Sequence, residues 1–270
     1  QAGYANTTGL YETFVGAYAG AGNTTGEGNS ALGVQALETN STGAYNTALG
    51  RFALKSNTTA SENTAVGYQA GYSNTTGLQI TAVGYRALYS NTGVGAANTA
   101  TGYEALYSNT TGQFNNAFGR QALYSNTTTS NNFAGGYGAL YSNTTGGNNV
   151  SVGHEALRSN TTASNNTAVG YQAGYDNSTG TNLVFMGVDS GANNTTGQGN
   201  TFLGRASGLL NTTGSYNCFV GQSASSGYAS GYLMTTGSKN TILGAYNGNQ
   251  GGLDIRTSDN NIVLSDGDGN

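Results

Sequence analysis

One decapeptide, Asn63 to Tyr72 (NTAVGYQAGY), returns in related form along nearly the whole chain, and the interval of its return restricts the fold more than any other feature. Gly67 is its anchor. Equivalent glycines stand at 16, 33, 50, 84, 102, 119, 136, 153, 170, 187, 204, 221 and 244, with a degenerate copy at Ser265. Successive anchors are 17 residues apart eleven times and 18 once, then 23 and 21. A fixed period of this size means that each repeat buries its apolar side chains against the next repeat. The expected fold is all-β, a parallel β-solenoid or β-roll of about 14–15 coils, each 17 residues long.

Within a coil, Thr64-Ala65-Val66 reads as a short strand ending at the anchor, where glycine bends the backbone. Residues 68–72 read as a second strand running into an S-N-T-T-G turn, whose residues suit left-handed and Asx geometries. Alternation puts Thr64 and Val66 on one face, taken as the coil interior, and the alanines between such pairs on the other. Ala48, Ala65, Ala82 and Ala117 are thus an expected packing face between copies of the chain. One column of small side chains returns less free energy than ordering the coil costs, which points to a homo-oligomer, with a trimer as the simplest closed form. The period breaks at 222–239. Residues 1–250 are therefore read as the repetitive body, and 251–270, which hold four of the twelve acids, as a cap or junction.

Composition excludes several classes. The 45 glycines and 7% charged residues depart from globular averages, and the absence of proline suits a chain whose N–H groups serve an inter-coil ladder. Eight scattered Lys and Arg against twelve Asp and Glu give no basic stripe for nucleic acid. No apolar run is long enough for membrane insertion. Cys218 is alone and stands in the slot of Thr47 and Thr64, so it reads as a small core residue. Gln1-Ala2-Gly3-Tyr4 repeats Gln69 to Tyr72, so the chain is expected to be a piece of a longer protein. No residue set calls for a cofactor.

Catalytic chemistry finds no cluster. His154 sits in a tyrosine slot beside Glu155, and Asp266, Asp268 and Asn270 follow the start of a calcium-loop spacing without later ligands. Tyrosine is better organised. Tyr68, Tyr85 and Tyr103 form one column; Tyr72, Tyr89, Tyr107, Tyr124, Tyr141 and Tyr175 form another. Rings about 4.8 Å apart stack along a column, and they also offer a contact surface for carbohydrate or a protein receptor. A third column is asparagine: Asn23, Asn40, Asn57, Asn74, Asn109, Asn126, Asn143, Asn160, Asn177, Asn194 and Asn211 each begin an N-x-[ST] sequon. In an exported protein these are glycosylation acceptors. As bare turn residues each is worth little, so Asn74→Ser is expected to cost about 1 kcal/mol or less.

The T-A-V-G core with its preceding Asn resembles the head repeats of trimeric autotransporter adhesins, and this resemblance implies a left-handed roll in a three-chain rod. The segments Thr241-Ile242-Leu243-Gly244, Leu253 to Ser258 and Asn261 to Asn270 resemble the part of bacteriophage tail-fibre proteins that precedes a self-cleaving chaperone. Together these imply a non-enzymatic fibre: an extracellular virion shaft that holds a receptor-binding tip, or else a bacterial cell-surface stalk or secreted filament. Solenoid polysaccharide lyases and hydrolases are the enzymatic counterpart, but their sites need charges clustered on adjacent coils, and Arg86, Glu104 and Glu155 stand singly.

Overall fold

A computed structural model describes residues 1–93, 97–222 and 229–266. Asp268 and Asn270, and part of the 222–239 break, lie outside the described residues. The chain forms two compact units, 1–132 and 133–270. The first carries β1 (Thr13–Val15), β2 (Ser30–Leu32), β3 (Thr47–Leu49), β4 (Thr64–Val66), β5 (Thr81–Val83), β6 (Thr99–Thr101) and β7 (Asn116–Phe118). In the second are β8 (Phe133–Gly135), β9 (Val150–Val152), β10 (Thr167–Val169), β11 (Val184–Met186), β12 (Thr201–Leu203), β13 (Cys218–Val220) and β14 (Thr241–Leu243), then β15 (Asn249–Gln250), β16 (Leu253–Asp254) and β17 (Ile262–Leu264). There is no helix among the described residues.

Strands in each unit pair in parallel, in chain order, with repeat positions in register: Thr64 faces Thr81, Ala65 faces Ala82 and Val66 faces Val83. This is a parallel β-solenoid with one three-residue strand per coil. β15 and β16 make a small antiparallel hairpin, after which β17 returns to pair with β14. Residues 251–266 therefore hold a further rung of the solenoid and the second strand of the hairpin, whose first strand lies before residue 251.

The anchor glycines are required by close approach. Gly67 has φ +134, and a Cβ there would lie 2.5 Å from the Gly84 carbonyl oxygen of the next coil. Beyond the anchor no second strand forms. Gln69 and Gly71 take left-handed φ values of 55 and 59, so the segment zigzags through turns. Its N–H groups still serve the stack: Gln69 donates back to Arg51 O at 3.1 Å and Gly71 donates forward to Ala87 O at 2.9 Å.

The strand faces are the reverse of the expectation. Ala48, Ala65, Ala82 and Ala117 are buried inside their own coils, while the flanking positions point outward, with Leu32 50% and Leu49 41% exposed. A three-residue strand bracketed by turns has a single inward position, its middle one. The alanines therefore cannot form a face between copies, and Cys218, in a flanking slot, is half-exposed and outside the core.

In most coils core volume is conserved by exchange between two positions six residues apart; Ala65 with Gly71 and Ala168 with Gly174 are exceptions, where side chains of neighbouring coils, such as Leu54 and Ile80 at Gly71, close on the glycine. Where the strand centre is Ala31, Ala48, Ala82, Ala100, Ala117 or Ala134, the turn inserts Leu37, Leu54, Leu88, Leu106, Leu123 or Leu140, all buried. Where the centre is Phe14, Phe185 or Phe202, the turn carries Gly20, Gly191 or Gly208. A Cβ on Gly208 would meet the Phe202 ring at 2.5 Å. The leucines accept left-handed φ, as at Leu54 with φ 48, because their side chains fill the space a phenylalanine otherwise takes. Phe202→Ala should cost about 3–5 kcal/mol through the cavity, and Gly208→Leu should destabilise by overpacking. Combined, they convert one solution into the other, so denaturant titration should show a favourable coupling of about 2 kcal/mol. Simple additivity would contradict the exchange.

Candidate functional site

The sequon asparagines from Asn23 to Asn211 are fully buried polar groups. Asn40 Nδ2 donates to Asn23 Oδ1 at 2.7 Å and to Gly43 O at 2.8 Å. Asn57, Asn74 and Asn91 continue the ladder at 2.8, 3.0 and 2.8 Å. In the second unit Asn160, Asn177, Asn194 and Asn211 do the same at 2.9, 3.0, 2.9 and 2.8 Å. Apart from Asn91, each of these amides uses both N–H bonds, one to the preceding rung and one to a carbonyl in its own turn. Asn23, Asn40, Asn57, Asn74, Asn109, Asn126, Asn143, Asn160, Asn177, Asn194 and Asn211 are all buried, so a folded coil has no room for a glycan on them. The glycosylation expectation is corrected accordingly. The column stops at Met234, which stands in the slot after Asn211, and Asn211 Oδ1 has no partner.

A second inward asparagine ladder precedes the strands. Asn29 Oδ1 accepts the Asn46 backbone N–H at 3.0 Å, while Asn46 Nδ2 donates to Ala60 O at 2.9 Å. Asn98, Asn115, Asn149 and Asn166 repeat parts of this scheme. The sequence reading used these residues only to mark the repeat. Their signal was an Asn in the same place before almost every strand, where a surface turn would tolerate several residue types.

Tyrosine forms the outer ladders. Tyr68, Tyr85 and Tyr103 stack at 5.4 and 5.0 Å. Tyr72, Tyr89, Tyr107 and Tyr124 stack at 5.1, 5.1 and 5.2 Å, with planes within 8°. Phe52 lies edge-on to both Tyr68 and Tyr72, which places its column between the two ladders. In the second unit His154 completes a stack between Tyr137 and Tyr171 at 4.9 and 5.3 Å. Arg158 lies over Tyr141 in the slot that separates it from Tyr175. Ring faces within a ladder are turned toward one another, so the outward chemistry is the phenol edge. That geometry disfavours sugar stacking on ring faces along these columns.

No reacting group stands ready beside the ladders. Glu155 is engaged by Arg158 and by Gln172 Nε2 at 2.9 Å, and His154 Nδ1 lies 3.7 Å from its carboxylate. Among the described residues no three His, Cys, Asp or Glu side chains gather to hold a metal, and no helix is long and apolar enough to cross a membrane. On the outward strand face, a shallow groove of about 160 Å³ runs over Thr13, Ser30, Leu32, Thr47 and Leu49. Comparison with protein-family models, curated proteins and solved structures gives no significant match, so the family resemblances rest on the sequence motifs alone.

Two outcomes test the ladders. Asn74→Ala would strand Asn57 Oδ1, Gly77 O and Asn91 Nδ2, now bonded at 3.0, 2.9 and 2.8 Å. Three buried groups without partners should cost about 3 kcal/mol or more by denaturant titration, well above the turn-residue value; a loss near 1 kcal/mol would contradict the buried ladder. The Tyr89 phenol is pushed above its ordinary value, first by desolvation and then by Tyr107 and Tyr72, against an opposing pull from Arg86. The fold thus favours neutral Tyr89, a contribution complete below the ordinary phenol pKa of about 10 and lost as pH rises through the raised value. Tyr89→Phe should therefore lose less thermal stability than the parent as pH rises above about 10; parallel losses would contradict this.

Proposed function

We propose that the protein is a structural and adhesive fibre component, the shaft of an extracellular virus tail fibre that assembles as a homo-oligomer, with a trimer favoured, and presents a receptor-binding tip. The observation that carries this reading is the outward strand face. In most coils the strand places one small or hydroxyl-bearing residue and one larger apolar residue toward solvent, in register with the next coil, as at Ser30 with Leu32 and Thr47 with Leu49. An exposed apolar rank repeated at the coil spacing is costly in a monomer and matches itself on another copy. Support also comes from the ladders, whose hydrogen bonds run from coil to coil and give each unit stiffness along its stack.

No activity is part of this reading. The charged groups beside the ladders are engaged by neighbours, as with Glu104, whose Oε2 accepts from Gln121 Nε2 at 3.1 Å. The fibre works mechanically, through ladders that resist bending and lateral packing that covers exposed flanks.

Light scattering of the purified chain should give three times its 27.3 kDa mass, with the band resisting SDS. Leu49→Glu, on the exposed rank, should dissociate the oligomer while keeping the β-sheet circular dichroism. Ala65→Glu, inside the coil, should instead abolish folding, since it buries an unpaired charge. A parent that is monomeric, or a Leu49→Glu variant that assembles like the parent, would overturn the proposed interface.

A further inference from the structure

The basic residues of the first unit are gathered on one face. Arg51, Lys55, Arg86 and Arg120 are all the Lys and Arg between residues 1 and 132, and each lies over an aromatic ring of the ladder region. Arg86 Cζ is 5.1 Å from the Tyr85 ring centroid and 5.5 Å from that of Tyr89, so it stands between the two tyrosine ladders. Its Nε donates to Gln69 Oε1 at 2.9 Å. Lys55 reaches Glu38 at 3.5 Å, whereas Arg51 and Arg86 have no carboxylate partner among the described residues. The face also holds Glu104, but its balance is positive on a chain of net charge −4.

We propose that this face binds a linear acidic polysaccharide lying along the stack. Three features select that ligand. Arg51 and Arg120 directly follow the anchors Gly50 and Gly119, and Arg86 stands one position further on from Gly84, so one arginine occurs in every second coil, which at the β-spacing puts successive arginines about 10 Å apart along the stack. A polysaccharide with one acidic sugar in two carries its charges at a comparable interval. A nucleic-acid strand carries one charge about every 3.4 Å, roughly three for each arginine. The second feature is the edge-on presentation of the phenols, with Tyr85 and Tyr103 exposed, which offers hydroxyls to sugar hydroxyls while the ring faces stay occupied by their neighbours. The third is repetition at a two-coil interval, which lets a polymer of matching repeat gain several weak contacts at once.

This inference rests on the adhesive half of the reading above and names the receptor chemistry. The test is titration of the intact protein with hyaluronan oligosaccharides long enough to span the three arginines, beside neutral dextran oligomers and oligothymidylate at matched salt. Hyaluronan should bind, and binding should weaken as salt rises, while dextran should not bind. The triple variant Arg51→Gln, Arg86→Gln, Arg120→Gln should lose about tenfold or more in affinity. The corresponding triple Lys variant should retain most of it, and Lys239→Gln, outside this face, should change nothing. Unchanged circular dichroism and melting of both triple variants separate lost binding from lost fold, and the Lys variant keeps the test alive if the Gln variant unfolds. Failure of hyaluronan to bind at low salt, equal binding by a folded triple Gln variant, or tighter binding of oligothymidylate would each overturn the proposal. A monomer that still binds hyaluronan contradicts the assembly reading and supports this one; an SDS-resistant oligomer that ignores hyaluronan does the reverse.

Discussion

Buried side-chain amides hold the coils in register. Asparagine is normally a surface residue, and burying its amide without partners costs several kcal/mol. Here each rung satisfies its neighbour: Asn57 Nδ2 bonds Asn40 Oδ1 at 2.8 Å, and its second N–H closes its own turn on Ala60 O at 2.9 Å. A slip by one residue would leave a whole column of amides unsatisfied. This explains why so small an apolar core suffices: its alanines and leucines fill space, while the polar ladders penalise every register but one.

The period, the anchor glycines, the strand positions and the tyrosine columns were legible in the sequence, because each depends only on counting residues. The direction of the strand faces was not. In T-A-V every residue tolerates burial, so alternation alone gives two equivalent answers, and the choice depends on the turns that bracket a three-residue strand. A decisive signal was nevertheless present in the alternation of Phe202 with Gly208 and of Ala48 with Leu54, since volume exchange of that kind occurs only between residues that share an interior. The second strand was misread because residues 68–72 look extended by composition. Left-handed φ at Gln69 and at Leu54 goes against ordinary residue preferences, and tertiary packing overrides them.

The same arrangement links fold to function. Since the inward residues are committed to ladders and packing, inward variation between coils is limited to space-filling exchanges such as Ala48 with Leu54 for Phe202 with Gly208, and the surface varies more freely. The strand flanks pair a hydroxyl-bearing or small residue with a larger apolar one in most coils, which fits self-association. The aromatic columns beyond the anchor vary more: Arg51, Tyr68, Tyr85, Tyr103 and Arg120 occupy one slot in successive coils. A solenoid separates these tasks cleanly, because a substitution at an outward slot changes the surface of one coil without disturbing the stack.

The central claim is that the asparagine amides are interior, mutually bonded rungs. Side-chain amide hydrogen exchange, followed by NMR on asparagine-labelled protein, tests it most directly. The account predicts that the Nδ2 protons of the two ladders exchange far more slowly than those of exposed asparagines such as Asn6, and that their protection is lost only with unfolding of the stack. Ladder amides that exchange as fast as exposed ones would mean that the asparagines face water, and the account of what holds the coils together would be wrong.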